Sequence, residues 1–155
     1  GILRDKDDKL FKKLINKNLN SKYDIIITNG AVSAGKFDFV PRVIKKFKLS
    51  KYFKGVAIRP GKPIMFAKFK NNNKSFFGLP GNPISSAACF KFFVYSYLRS
   101  ILNMTKEKPF KAKLKNSYEK KKNFTKFIKG RISINKKATL EVEVLKGQES
   151  FRIKI

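Results

Sequence analysis

The sequence predicts an α/β layer fold followed by a smaller β unit. Three observations carry that prediction. Strand-like and helix-like segments alternate over residues 1–104, no helical period survives beyond Pro109, and 42% of the 155 residues are hydrophobic, enough for a packed core.

Helical spacing of Leu10, Phe11, Leu14 and Ile15, after Asp5 and Asp7 as alternative caps, predicts the first helix. The β-branched run at 23–28 reads as a buried parallel strand. A second helix over about 37–48 would place Phe39, Val40, Val43, Ile44 and Phe47 on one side. Strands follow at 54–59, 64–69 and 75–78, the last two separated by Asn71-Asn72-Asn73, and residues 83–103 read as a long helix. A polar link at 105–108 leads into period-two segments at 110–114 and 140–144, with 127–134 also strand-like. The expected domains are therefore 1–104 and 105–155, with both ends expected to be cut from a longer chain.

The chain carries 37 Lys+Arg against 10 Asp+Glu, a formal charge of +27 with no His. Of the basic residues 31 are Lys and 6 are Arg, and Asn, Ile and Phe are abundant. Compositional drift toward A/T-rich codons explains such a bias without a partner. A dedicated polyanion surface is the other reading, but it would concentrate Arg on one face or in a tail, whereas these Lys are spread along the whole length. No specific nucleic-acid partner is expected. The lack of His and the single Cys89 exclude His-based acid–base catalysis, an internal disulfide and a Cys-rich metal site. Apolar runs fall short of the roughly 20 residues of a membrane span, and the first residues do not read as a signal peptide, so a cytoplasmic setting without membrane contact is expected.

Three loops carry the chemistry. Residues 28–38 follow a strand and open a helix. Gly30 and Gly35 permit a tight turn against which a phosphate can rest, and Asp38 either complements the helix dipole or reaches a phosphate-bound metal. In the second, Arg59-Pro60-Gly61-Lys62-Pro63, two prolines fix the backbone around two cations, either as a plain turn or as a cationic clamp. In the third, Asn82 is an N-cap and Pro83 an N1 proline, with Gly81 before them and Ser85 in the first turn. Together they point to a polyanionic ligand at the carboxyl ends of the strands.

In this order and spacing, Thr28-Asn29-Gly30-Ala31-Val32-Ser33-Ala34-Gly35 with Asp38, Arg59 to Pro63, and Gly78-Leu79-Pro80-Gly81-Asn82-Pro83-Ile84-Ser85 resemble the molybdopterin molybdenumtransferase family, which includes bacterial MoeA and the gephyrin E domain. Ile2-Leu3-Arg4-Asp5 resembles a further acidic segment of that family. The resemblance implies a partial three-layer, MogA-like molybdopterin-binding domain followed by an incomplete β-barrel-like domain. It implies a Mg²⁺-dependent insertion of molybdate, as substrate, into adenylylated molybdopterin with release of AMP. A homodimer, and contact with the molybdopterin adenylyltransferase, are implied as well.

Carried onto this sequence, Gly30, Ser33 and Gly35 line the pterin-phosphate loop, while Asp38 and Asp5 are the acidic, Mg²⁺-side residues. Lys62, with Arg59, Pro60, Gly61, Pro63 and Ser85, surrounds molybdate and phosphate; Gly81, Asn82 and Pro83 belong to the same binding region, and Lys129 and Ser150 join from the last domain. The chain departs from the family pattern at Ala31, Lys36, Gly55 and Arg59. The related adenylyltransferase family shares the fold but has a different glycine loop and no β appendage. A salt-dependent nucleic-acid-binding module and a scaffold protein are the alternatives from other classes.

Overall fold

A computed structural model describes residues 1–4, 7–33, 35, 38–119 and 125–146. Residues up to Leu79 supply a four-stranded sheet of order β1-β5-β4-β2, built from β1 (Ile25–Asn29), β2 (Leu49–Lys54), β4 (Met65–Phe69) and β5 (Ser75–Leu79). β1 runs parallel to β5, while β4 is antiparallel to both β5 and β2. Alternation along the central strands supplies two cores. Met65, Ala67, Phe69 and Phe76 join Phe11 and Ile15 of α1 (Asp8–Leu19) and Val40, Val43 and Ile44 of α2 (Val40–Ile44). Phe66, Phe77 and Leu79 instead pack on Cys89 and Val94 of the long C-terminal helix. Helices thus cover both faces of a mixed sheet.

The long helix comprises α3 (Pro83–Cys89), a π turn at Phe90–Val94 and α4 (Tyr95–Ile101), close to the expected 83–103. Other elements differ from expectation for local reasons. α1 starts at Asp8 with Asp7 in the N-cap position, yet the Asp7 carboxylate accepts from the Arg4 N–H at 2.8 Å rather than from the helix. β1 is parallel as expected but lies at the sheet edge, leaving Ile27 43% exposed rather than buried. The helix expected over 37–48 is confined to α2. Beyond Lys45 the chain closes i→i−3 turns, Lys46 N–H to Val43 C=O and Phe47 N–H to Ile44 C=O, before entering β2. Of the strand expected at 54–59 only the ends are strand, because Gly55 turns the backbone at φ +79°: Lys54 closes β2, whose first five residues lie outside the expected strand, and β3 (Ile58–Arg59) follows the turn.

Beyond residue 104, β6 (Lys113–Leu114), β9 (Leu140–Val144) and β8 (Gly130–Ile134) make an open three-stranded sheet, parallel between β6 and β9 and antiparallel between β8 and β9. The described residues form no closed barrel. The strand expected at 127–134 is confined to β8, and β7 (Thr125–Lys126), ahead of it, pairs in parallel with β3.

Candidate functional site

Strand directions bring the three loops to one edge of the sheet. Asn29 at the end of β1 lies opposite Leu79 at the end of β5, Gly78 lies opposite Met65 at the start of β4, and Met65 opposite Lys54 at the end of β2. The segments 30–38, 55–64 and 80–83 therefore all begin or end there. This is the carboxyl end of the parallel pair, where open α/β sheets bind ligands.

The first and third loops touch at their bases. Gly30 N–H donates to Leu79 C=O at 2.9 Å, and a Cβ on Gly81 would sit 3.5 Å from Gly30 Cα. Gly30 has φ +89° and Ala31 φ +53°, so the position where the family pattern has a second glycine does adopt the left-handed conformation here. Farther round, Gly35 N–H donates to Asp38 Oδ2 at 2.8 Å and Asp38 N–H returns to Gly35 C=O at 3.0 Å. The Asp38 carboxylate thus closes its own loop instead of capping α2, whose N-cap is Phe39. Lys54 reaches across from β2, its Nζ donating to Ser33 C=O at 2.7 Å.

The third loop forms as the residue types dictate. Asn82 is the N-cap of α3, its side chain accepting the Ser85 N–H at 3.1 Å, and Pro83 takes N1. Ser85 is consequently buried in the first turn.

In the second loop the Arg59–Pro60 bond is cis and Gly61 has φ +110°. Val56 N–H to Lys62 C=O at 3.0 Å and Ile64 N–H to Gly61 C=O at 3.1 Å hold the turn. Cys89 packs beneath it, its Sγ 3.4 Å from the Gly61 carbonyl oxygen. The result is a cleft of about 320 Å³ lined by Ile58, Arg59, Pro60, Gly61, Lys62, Pro63 and Ser85. Two cations and a hydroxyl line it, with no carboxylate, so the arrangement suits a small oxyanion.

The structure thus gathers Arg59, Pro60, Gly61, Lys62, Pro63 and Ser85 into one cleft and sets Gly30 against Gly81 beside the Asn82–Pro83 cap. Ser33, Gly35 and Asp38 lie on the first loop rather than in the cleft lining. Lys129 sits just before β8, its carbonyl accepting Leu145 N–H at 3.0 Å. Asp5 and Ser150 lie outside the described residues. Among the described residues no group of three or more Cys, Asp or Glu side chains gathers as a metal cage. One carboxylate with an oxygen already held by Gly35 fits Mg²⁺ only in the mode in which substrate phosphates and water complete the shell.

Lys54 is the site neighbour the motifs missed. Its only sequence signal is its place one residue before Gly55, where the chain departs from the family pattern. A larger groove of about 1080 Å³, lined by residues of the π turn and α4 and by 103–110, contains none of the motif residues.

A protein-family model described as "Probable molybdopterin binding domain" matches residues 1–100. The molybdopterin molybdenumtransferase of a Synechocystis strain is 34% identical over 130 residues, covering 83% of this chain and 30% of that protein. The Haemophilus influenzae protein of the same name is 33% identical over 153 residues, covering 97% of this chain and 37% of that one. Among solved structures, the molybdopterin biosynthesis MoeA protein from Pyrococcus horikosii is similar with a TM-score of 0.59 and 25% identity, over 94% of this chain and 34% of that one. The chain spans about a third of the length of these relatives.

Proposed function

The chain belongs to the molybdopterin-binding domain family, and from that premise we propose that it supplies the pterin-phosphate and oxyanion site of a molybdopterin molybdenumtransferase acting in molybdenum cofactor biosynthesis. The observation that carries this reading is the convergence of the three motif loops on one sheet edge, with Arg59, Lys62 and buried Ser85 lining a single cleft. The names of the relatives support it as well.

In this reading residues 1–104 are the binding domain and 105–155 begin a barrel-like C-terminal domain. The glycine loop of Gly30, Ser33 and Gly35 holds the pterin phosphate. The cleft of Arg59, Lys62 and Ser85, framed by Pro60, Gly61 and Pro63 and by the Gly81-Asn82-Pro83 cap, holds molybdate and the phosphate bridge. When an oxygen of water bonds to the adenylyl phosphorus, the bond from that phosphorus to the bridging oxygen breaks, the pterin phosphate keeps that oxygen and AMP departs. When an oxygen of molybdate attacks instead, the adenylyl group passes to molybdate and a water then cleaves this mixed anhydride to release AMP. Arg59 and Lys62 balance the charge that collects on the oxygens. Asp38, with Asp5, would hold Mg²⁺, which supplies further charge neutralisation at the phosphates when bound. Lys129 and Ser150 would add a cation and a hydroxyl from the C-terminal domain. The partners are adenylylated molybdopterin, a second copy of the chain and the adenylyltransferase that makes the substrate, in the cytoplasm.

The test is AMP release from adenylylated molybdopterin by a full-length transferase carrying this segment. Asp38→Asn is expected to abolish release while the protein stays folded, and unchanged turnover removes Asp38 from the mechanism. The 155-residue chain alone is expected to show no molybdate insertion.

A further inference from the structure

β3 is only two residues long, and its strand partner is β7, from the far side of the domain link. Thr125 N–H donates to Ala57 C=O and Phe127 N–H to Arg59 C=O, both at 2.9 Å. The backbone of the cationic clamp is therefore fastened by residues more than sixty positions downstream. The Phe127 ring, in turn, stacks on Phe92, with centroids 3.9 Å apart and planes 12° from parallel. Phe92 lies in the π turn of the continuous helix whose first turn presents Ser85 to the cleft.

Phe127 thus touches both walls of the cleft from outside it. Its amide holds the Arg59 wall and its ring holds the helix of the Ser85 wall, while the residue itself is not part of the lining. We infer that Phe127 is a positioning residue: by stapling β3 to the α3–π–α4 helix it sets the Arg59-to-Ser85 separation, and hence the fit of the oxyanion. This rests on the oxyanion reading of the cleft. Aromatic stacking of this kind is directional, so a residue that fills space without a ring does not replace it.

The experiment uses the 155-residue chain with inorganic pyrophosphate as probe, followed by calorimetry, together with amide hydrogen exchange at Lys62 and Ser85. Phe127→Ala is expected to weaken pyrophosphate binding about three- to tenfold, the loss of one aromatic pair. It is expected to speed exchange at both amides, with Phe127→Tyr restoring both readouts and Phe127→Leu neither. Phe92→Ala is expected to reproduce the defect, and the double variant to add little to either single one. Wild-type affinity in Phe127→Ala with exchange unaltered overturns the inference, as does full rescue by Phe127→Leu. Lys62→Ala separates the two claims. If wild type binds no pyrophosphate, or Lys62→Ala leaves its affinity unchanged, the oxyanion reading fails, and the exchange rates alone decide whether Phe127 holds the two walls together.

Discussion

Gly61 and Cys89 hold the cationic turn from below. A Cβ on Gly61 would lie 2.6 Å from Cys89 Sγ and 3.2 Å from Ile58 Cδ1, at φ +110°. Gly61→Ala is therefore expected to cost roughly 2–4 kcal/mol, adding left-handed strain to overpacking, as measured by the urea midpoint. Burial pushes the Cys89 thiol up from 9.0 to about 11. The folded state thus keeps its proton at a pH where the unfolded chain loses it. That contribution to stability is complete below about pH 9 and is lost as pH rises through about 11. Urea midpoints measured from pH 8 to 11 are expected to fall more steeply for wild type than for Cys89→Ala, and parallel curves would show that the thiol does not contribute. Nothing in the sequence pairs Gly61 with Cys89, because the contact joins a loop to a helix 28 residues away. The Asn82–Pro83 cap, by contrast, was legible because its residues sit together at the helix start.

At the scale of elements, α1 is fastened to the sheet by one buried cation. Lys74, 8% exposed, donates from Nζ to Asn18 C=O at 3.2 Å, to Tyr23 C=O at 2.7 Å and to Ser21 C=O. These carbonyls run from the last turn of α1 to the segment before β1, and Lys74 replaces the water they would otherwise bind. Lys74→Met keeps most of the stem but leaves the carbonyls unanswered, and is expected to cost roughly 2–3 kcal/mol in urea unfolding. A loss below about 0.5 kcal/mol would mean that solvent serves them equally well. Among so many lysines Lys74 carries no distinguishing sequence mark. Periodicity did place α1, the central strands β4 and β5, and the long helix, since each buries a regular face. It overextended α2, ran a strand through Gly55 and missed the first five residues of β2, because Gly55 and the i→i−3 turns after Lys45 act through backbone conformation and not through side-chain pattern. The β7–β3 pairing was not legible, being a two-residue ladder between segments that are distant in sequence.

For the whole molecule, the +27 charge separates into a few placed cations and a diffuse background. Arg59 and Lys62 line the cleft, Lys54 ties the first loop through Ser33, and Lys74 is internal. Many other lysines, such as Lys9, Lys12, Lys45, Lys70 and Lys137, are exposed on unrelated elements. No helix among the described residues is long and apolar enough to cross a membrane. The motifs identified the three loops, while the sheet topology explains why they act together: a parallel β1–β5 pair with an antiparallel β4 brings a glycine loop, a clamp and a helix cap to one edge. The most direct test of that convergence follows the amides of Gly30, Gly61 and Gly81, one in each loop, by NMR as molybdopterin is added anaerobically to the 155-residue chain. All three resonances are expected to shift along a single saturable curve with one dissociation constant, a response lost in Arg59→Ala/Lys62→Ala. Shifts scattered over exposed lysines without saturation, with the three glycines unmoved, would contradict the account.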